Sequence, residues 1–201
     1  MGERENASSS QERMWKMVLN ISVLFGSPRT GGNSETLAEK ILDHAPAGSG
    51  IERFFLTQRR LEGCRDCRRC WTGGTPCVLQ DDMAEIYHSL EKADLIFFVT
   101  PLYWYSWSAP IKTVWDRLLP YNAASALRVL RGKKAALVVA AADDDATCFE
   151  GVRFSLRRSC DLLGLTVVGE ICEGELAERG DVLRRPALGL KLAEQASRLF
   201  L

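Results

Sequence analysis

The chain has 201 residues, of which 46% are hydrophobic and 26% are charged, and its formal net charge is zero. This composition is typical of a globular protein with one domain, and the balanced charge argues against a nucleic-acid or membrane partner. No apolar run approaches the roughly 20 residues that a membrane-spanning helix needs.

The first residues of the chain, 1–15, are polar and rich in serine and are predicted to form a disordered tail. They contain no hydrophobic stretch like that of a secretory signal, so we expect a cytoplasmic protein. A reducing compartment favours metal or redox roles over disulfides for the seven cysteines. Residues 16–201 are predicted to form a single domain.

The domain begins with a strand, a loop and a helix. The apolar run 18–25 predicts a buried strand, and residues 35–42 predict a helix. The loop 26–34 between them, here called the phosphate loop, contains three glycines and several hydroxyl and amide side chains. Because a helix N-terminus offers backbone N–H groups and the positive end of the helix dipole, this loop is predicted to bind a phosphate group.

The phosphate loop differs from two common phosphate-binding sequences. It has neither the Gly-Lys-Ser/Thr ending of a triphosphate loop nor the G-x-G-x-x-G pattern of dinucleotide sites. Hydroxyl groups with one arginine better fit a single terminal phosphate, as on a mononucleotide. The alternative is an ordinary turn in which Asn33 or Ser34 caps the helix. A cap needs one such residue, and several candidate ligands cluster here: Ser27, Arg29, Thr30, Gly32, Asn33 and Ser34.

The next segments predict a strand, a long loop and a helix. Residues 51–56 predict the second strand, and 57–80 is an irregular stretch with four cysteines that is predicted to be a functional insertion. Asp81 or Asp82 is expected to cap the following helix, and Glu85 stands where a capping box would place it.

The rest of the chain alternates strands with helices. Strands are predicted at 94–100, 135–142 and 165–172, and helices at 148–163, at 186–201 and in the segment that has Pro110 in its first turn. Gly164 is expected to end the helix that precedes it. The alternation predicts an α/β fold, a flavodoxin-like doubly wound sheet of five parallel strands in the order 2-1-3-4-5, with helices on both faces.

This strand order predicts a ligand crevice between the first and third strands, at their carboxyl ends. The phosphate loop follows the first strand, and the loop 101–107 with four aromatic residues follows the third. Aromatic side chains in such number suit a planar heteroaromatic ring, although Trp104 and Trp107 can equally pack against a second subunit. The turn 140–143 is expected on the other side of the ring.

A phosphate loop beside an aromatic loop implies flavin mononucleotide, FMN. Four segments carry a family resemblance: the phosphate loop, Asp81-Asp82-Met83, 100–104 (Thr-Pro-Leu-Tyr-Trp), and Ile111-Lys112 with 115–117 (Trp-Asp-Arg). With these segments, residues 18–200 resemble the NAD(P)H-dependent FMN reductase group of flavodoxin-like proteins. The cysteine run resembles that of the iron–sulfur flavoproteins within the group.

The resemblance implies an enzyme that transfers hydride from NAD(P)H to FMN and then passes electrons to an acceptor. The flavin supplies this chemistry, so no catalytic acid or base is assigned. A homodimer or homotetramer is implied, with the flavins near subunit interfaces. The implied FMN contacts are the phosphate-loop residues named above for the phosphate, and for the ring Pro101, Leu102, Tyr103, Trp104, Tyr105, Ala141 and Asp143.

The four clustered cysteines are Cys64, Cys67, Cys70 and Cys77. Their C-x2-C-x2-C start resembles runs that bind a [4Fe–4S] cluster, whereas structural zinc usually takes two separated pairs. The last gap is six residues rather than three, and Pro76 precedes the last cysteine. Arginines surround the run and would balance an anionic cluster or attract an acidic partner such as a ferredoxin-like protein: Arg59, Arg60, Arg65, Arg68 and Arg69.

Several functions therefore stay open at the level of sequence. The leading hypothesis is an FMN-dependent oxidoreductase that takes electrons from NAD(P)H or ferredoxin and carries a [4Fe–4S] cluster. The alternatives are a cluster-free reductase of quinones, azo compounds or metal ions, an electron carrier without its own substrate, and a redox sensor that responds through its thiols.

Overall fold

A single parallel sheet organises the chain. The computed structural model describes residues 18–72, 77–122 and 129–200. Its five strands lie in the order β2-β1-β3-β4-β5, and every neighbouring pair is parallel. The predicted order and the flavodoxin-like fold are therefore confirmed. The strands are β1 Asn20–Phe25, β2 Gly50–Phe55, β3 Leu95–Pro101, β4 Lys134–Ala140 and β5 Thr166–Glu173.

Helices follow the strands in the described part of the chain. They are α1 Asn33–Leu42, α2 Arg69–Thr72, α3 Met83–Lys92, α4 Ala109–Asp116, α5 Glu150–Leu163 and α6 Pro186–Leu199. Short 3-10 turns lie at Leu56–Gln58, Leu119–Tyr121, Ala146–Phe149 and Asp181–Arg184. None of the described helices is long and apolar enough to cross a membrane. The predicted tail and Pro76 lie outside the described residues.

Two hydrophobic cores lie on the two faces of the sheet. Successive strand residues point to opposite faces, so each strand contributes to both cores. Ile21, Val23 and Phe25 of β1 pack with the apolar sides of α1 and α6. Leu24, with Phe98 of β3, packs with α3, α4 and α5. The nearly continuous apolar strands of the sequence therefore reflect burial on both faces, as a doubly wound sheet requires.

The predicted helix signals differ in their outcome. Gly164 ends α5 in the left-handed conformation at φ 70°, as expected for a glycine at this position. The predicted capping box of Asp82 and Glu85 at the start of α3 was wrong, whereas Asp81 accepts the N–H of Met83, the first residue of α3, at 3.2 Å. Asp82 makes no side-chain cap and instead accepts the backbone N–H of Arg60, while Glu85 forms an ion pair with Arg59 at 2.7 Å. Both carboxylates hold the preceding loop rather than the helix.

A buried ion pair closes the base of the cysteine-containing loop. Arg117, which directly follows α4, pairs with Asp81, and the side chain of each is only 1% exposed. The Nη1 of Arg117 also donates to the Glu62 carbonyl at 3.1 Å, and the Asp81 carboxylate accepts the Glu62 N–H at 2.8 Å. Residues 62 and 81, which flank the four cysteines, are thereby held together.

The environment of Asp81 keeps its carboxylate charged. Burial alone would raise its pKa, but the hydrogen bonds from Arg117 and from the backbone N–H groups of Glu62 and Met83 outweigh burial. The pKa of Asp81 is therefore lower than usual. Since each member of this pair compensates the charge of the other, removal of one leaves a buried charge without a partner.

We predict that Arg117→Met destabilises the fold by about 3–5 kcal/mol, because Asp81 would lose its buried partner. Urea unfolding measures the loss. Lys112→Met is the matched control, because Lys112 forms an exposed pair with Asp116 on α4, and its removal should cost only about 0.5 kcal/mol. Adding Asp81→Leu to Arg117→Met should restore part of the stability. Equal stability of the two single variants would contradict this role of the ion pair.

Candidate functional site

A crevice opens at the carboxyl ends of β1, β3 and β4. Its volume is about 160 Å³. The structure brings the phosphate loop and the start of the aromatic loop together in its wall, as the strand order predicted. The predicted residues in this wall are Ser27, Arg29, Gly32, Asn33, Ser34, Pro101, Leu102 and Tyr103.

Close packing at Gly26 fixes where the phosphate loop begins. The Gly26 N–H donates to Val99 of β3 at 2.8 Å, and the Gly26 carbonyl accepts the Ser108 hydroxyl at 2.8 Å. A Cβ on Gly26 would lie 2.2 Å from a side-chain carbon of Ile111. Only glycine leaves room for α4 here, so the phosphate loop and the aromatic loop have fixed positions relative to each other.

At the start of α1, backbone N–H groups rather than capping side chains are available to the crevice. Gly32 is the N-cap residue and provides no side-chain cap, so the alternative of an Asn33 or Ser34 cap is wrong. Within the described residues, the N–H groups of Asn33 and Ser34 have no acceptor, which leaves them able to bind an anion. The Glu35 carboxylate accepts the Gly31 N–H at 2.7 Å and places a negative charge beside the same loop.

Two side chains of the phosphate loop already have hydrogen-bond partners within the chain. The Ser27 hydroxyl accepts the Arg29 N–H and donates to the Arg29 carbonyl, both at 3.1 Å. The Asn33 amide donates to the carbonyls of Leu176 and Glu178 at 3.0 and 2.8 Å. Its Oδ1 is buried and has no donor among the described residues. Asn33 thus tethers a distant segment and keeps one acceptor unsatisfied.

The structure places other predicted residues outside the crevice wall. Trp104 and Tyr105 are 94% and 59% exposed and form the tip of a tight turn. Backbone hydrogen bonds between Tyr103 and Ser106 close this turn, and both tip residues have positive φ. Contacts of Trp104 and Tyr105 with a ring therefore stay predictions. So does the role of Thr30, which is exposed.

In the turn after β4 too, some of the predicted residues lie outside the crevice wall. Ala140 and Ala142 line the crevice, whereas Ala141 between them is buried in the core on the opposite face. Alternation along an extended chain explains this, because neighbouring side chains point in opposite directions. Asp143 lies beyond the crevice, and its carboxylate accepts the Asp145 N–H at 3.0 Å.

Trp107 belongs to the core of the protein. It is 6% exposed, its indole N–H donates to Ser155 at 2.9 Å, and its ring lies 5.4 Å from that of Trp115. The interpretation that Trp107 contacts a second subunit is therefore wrong. Its indole instead packs between Phe98 of β3 and Ser155 of α5, and so anchors the end of the aromatic loop to the core.

The segment after β5 adds residues that sequence analysis missed. Leu176, Ala177 and Arg179 complete the crevice wall. Their sequence carries no strong ligand pattern. The available signal was position alone, because the carboxyl ends of all parallel strands meet at one edge of the sheet.

The four clustered cysteines surround a second cavity of about 280 Å³. Cys64 and Cys67 are exposed, Cys70 is buried and Cys77 is partly buried. Burial raises the pKa of the Cys70 thiol, and the three neighbouring thiols raise it further, which reflects how near they are. Among the described residues, no three His, Cys, Asp or Glu side chains converge on one point that could hold a single metal ion.

The arginines around the cysteines are mostly paired with carboxylates. Arg65 pairs with Glu62, and Arg68 pairs with Asp66 at 2.5 Å. Arg65, Arg68 and Arg69 line the cysteine cavity. The positive charge predicted for this region is therefore partly neutralised within the loop itself.

Comparisons with known proteins place the chain in a family. Residues 19–172 match the family of NADPH-dependent FMN reductases. An iron–sulfur flavoprotein of Archaeoglobus fulgidus is 28% identical over 177 residues, which are 85% of this chain and 77% of the relative. An iron–sulfur flavoprotein of Methanocaldococcus jannaschii is 36% identical over 113 residues, 55% of this chain and 56% of the relative.

Solved structures show the same fold. An NAD(P)H:quinone oxidoreductase of Methanothermobacter marburgensis superposes with a TM-score of 0.69 at 19% identity, over 91% of this chain and 96% of the other. An FMN-dependent NADH-azoreductase of Bacillus anthracis, in complex with FMN, has a TM-score of 0.63 at 16% identity, over 90% of this chain and 100% of the other.

The match over residues 19–172 confirms the resemblance that the sequence motifs indicated. The sequence relatives also confirm the predicted class of enzyme, an oxidoreductase. The chain belongs to the NADPH-dependent FMN reductase family.

Proposed function

We propose that the crevice binds FMN and that the protein reduces it with NAD(P)H. One observation carries this proposal: the start of α1 and the start of the aromatic loop face the same crevice. When bound, FMN accepts a hydride and passes its electrons to an acceptor. Because the flavin supplies this chemistry, we assign to this chain the role of binding and orienting it.

The residues present fit FMN. The free N–H groups of Asn33 and Ser34 suit the phosphate, and Arg29 supplies a positive charge. The buried Oδ1 of Asn33 can accept a hydrogen bond from a hydroxyl group of the sugar-alcohol chain. Pro101, Leu102 and Tyr103 offer an apolar edge to the ring.

The size of the crevice supports an assembly of more than one chain. Ligand pockets usually enclose about 300–1,000 Å³, and this crevice encloses about 160 Å³. One chain therefore encloses only part of FMN. We propose that a second copy covers the rest in a homodimer or homotetramer, next to the exposed Trp104 and Tyr105.

A [4Fe–4S] cluster in the cysteine cavity is the second part of the proposal. In such a cluster each iron takes one cysteine, so the four ligands surround the cluster rather than converge on one ion. The four cysteines around one cavity suit that arrangement. The names of the Archaeoglobus and Methanocaldococcus relatives support it. NAD(P)H or a ferredoxin-like protein would then serve as electron donor.

We expect the purified protein to bind about one FMN per chain and Arg29→Gln to bind it roughly 10- to 100-fold more weakly, because a charged hydrogen bond to phosphate is lost. Quenching of flavin fluorescence measures the affinity. Arg53→Gln is the control, since Arg53 forms an ion pair with Glu39, away from the crevice, and should bind like the wild type.

Anaerobic mixing of the FMN-loaded wild type with NADPH or NADH tests the enzyme itself. We expect the flavin absorbance near 450 nm to disappear rapidly, because the nicotinamide reduces the bound ring. Flavin that stays oxidised with both nucleotides would favour an electron carrier over a reductase. A wild type that binds no FMN would contradict the proposal as a whole.

For the cysteine loop, we expect protein purified without air to contain about four irons per chain, with matching acid-labile sulfide. Cys67→Ser and Cys77→Ser should lose most of this iron while they keep FMN. Cys148→Ala is the control, because Cys148 is buried in the core that packs against α3, α4 and α5. A wild type that contains FMN but no iron would leave a cluster-free quinone, azo-compound or metal-ion reductase.

A further inference from the structure

The segment 174–185 between β5 and α6, here called the strap, crosses the carboxyl edge of the sheet. Backbone N–H groups of Glu175 and Leu176 donate to the carbonyls of Asp143 and Ala141, both at 2.8 Å. The Asn33 amide holds the next part of the strap from the phosphate loop. The family match ends at residue 172, so the strap lies beyond it.

Internal hydrogen bonds give the strap a defined shape. The Asp181 carboxylate accepts the Glu178 N–H at 2.6 Å and pairs with Arg184 at 2.5 Å. Arg185 donates to the Glu175 carbonyl at 2.6 Å. Gly180 turns the chain at φ 86°, which favours glycine. The backbone at Arg179, the residue before this turn, is therefore held by hydrogen bonds to Glu178 and to its own carbonyl.

The side chain of Arg179 lies on the backbone of the phosphate loop. A Cβ on Gly31 would be 2.8 Å from the Nη2 of Arg179, so glycine leaves the room that this guanidinium occupies. Gly31 also has φ 65°. In the described part of the chain, the strap carboxylates Asp181 and Glu175 pair with Arg184 and Arg185, and Arg179 has no carboxylate partner. Arg29 and Arg179 both line the crevice.

The charged side chains of the phosphate loop do not by themselves balance the negative charge of a bound phosphate. A phosphate monoester carries about −1.5 to −2 charges at neutral pH. Arg29 contributes one positive charge, and the Glu35 carboxylate on the Gly31 N–H contributes a negative one. A bound phosphate would therefore face a shortage of positive charge without Arg179.

We propose that Arg179 is the second cation for the FMN phosphate and makes the crevice selective for FMN over riboflavin, which lacks the phosphate. This inference rests on the proposed function. Arg179 acts here as a binding residue from the strap, whereas Arg29 acts from the phosphate loop. Because both charges meet on one phosphate, affinity for FMN depends on the strap being closed on Asn33.

The test compares the affinities of Arg179→Gln and wild type for FMN and for riboflavin by fluorescence quenching. We expect about 10- to 100-fold weaker FMN binding and unchanged riboflavin binding, because only FMN presents a charge to Arg179. Arg179→Lys should retain part of the FMN preference, since it keeps the charge. Arg158→Gln is the control, because Arg158 is an exposed arginine on α5 whose carboxylate partner is 4.0 Å away.

Three results would overturn the inference. Unchanged FMN affinity of Arg179→Gln would show that Arg179 does not contact the phosphate. Equal weakening for FMN and riboflavin would show that the substitution only disturbs the strap. A wild type that binds no FMN would overturn the proposed function together with this inference, so the wild-type titration separates the two failures.

Discussion

The absence of a side chain at Gly26 is the constraint on which the arrangement of the crevice depends. The hydrogen bond from Gly26 to Val99 joins the ends of β1 and β3, and the bond from Ser108 to Gly26 joins this point to the start of α4. Close contact with Ile111 sets the position of α4 against them. The start of α1 and the aromatic loop therefore face each other because both extend from one tightly packed point.

The features that depend on local pattern were predictable from the sequence. Continuous apolar runs indicated strands buried on both faces, and their alternation with helices indicated the strand order. Glycines with hydroxyl residues marked the phosphate loop. These signals succeed because burial and backbone geometry act on neighbouring residues, so the responsible residues are close together in the sequence.

The features that the sequence did not reveal depend on distant residues. Nothing in residues 174–185 indicates that Asn33 will bind them. Asp82 gave a capping pattern, yet its carboxylate holds the loop before the helix, and Asp81 binds that loop as well as the helix start. Among the aromatic residues, Trp107 and Trp104 looked alike, yet one is buried and the other is 94% exposed. The tight turn between Tyr103 and Ser106 exposes Trp104 at its tip, and the backbone hydrogen bonds of this turn are formed only in the folded chain.

The helix α4 has a further consequence. Ser108, just before it, holds the crevice, and Arg117, just after it, holds the base of the cysteine-containing loop. Its eight residues span about 12 Å, so one rigid element sets the separation between the two supports. The chain between Glu62 and Asp81 can therefore change in length or sequence while its two ends stay at a constant distance from the crevice. The position of the cysteine-containing loop relative to the crevice is thus set by α4.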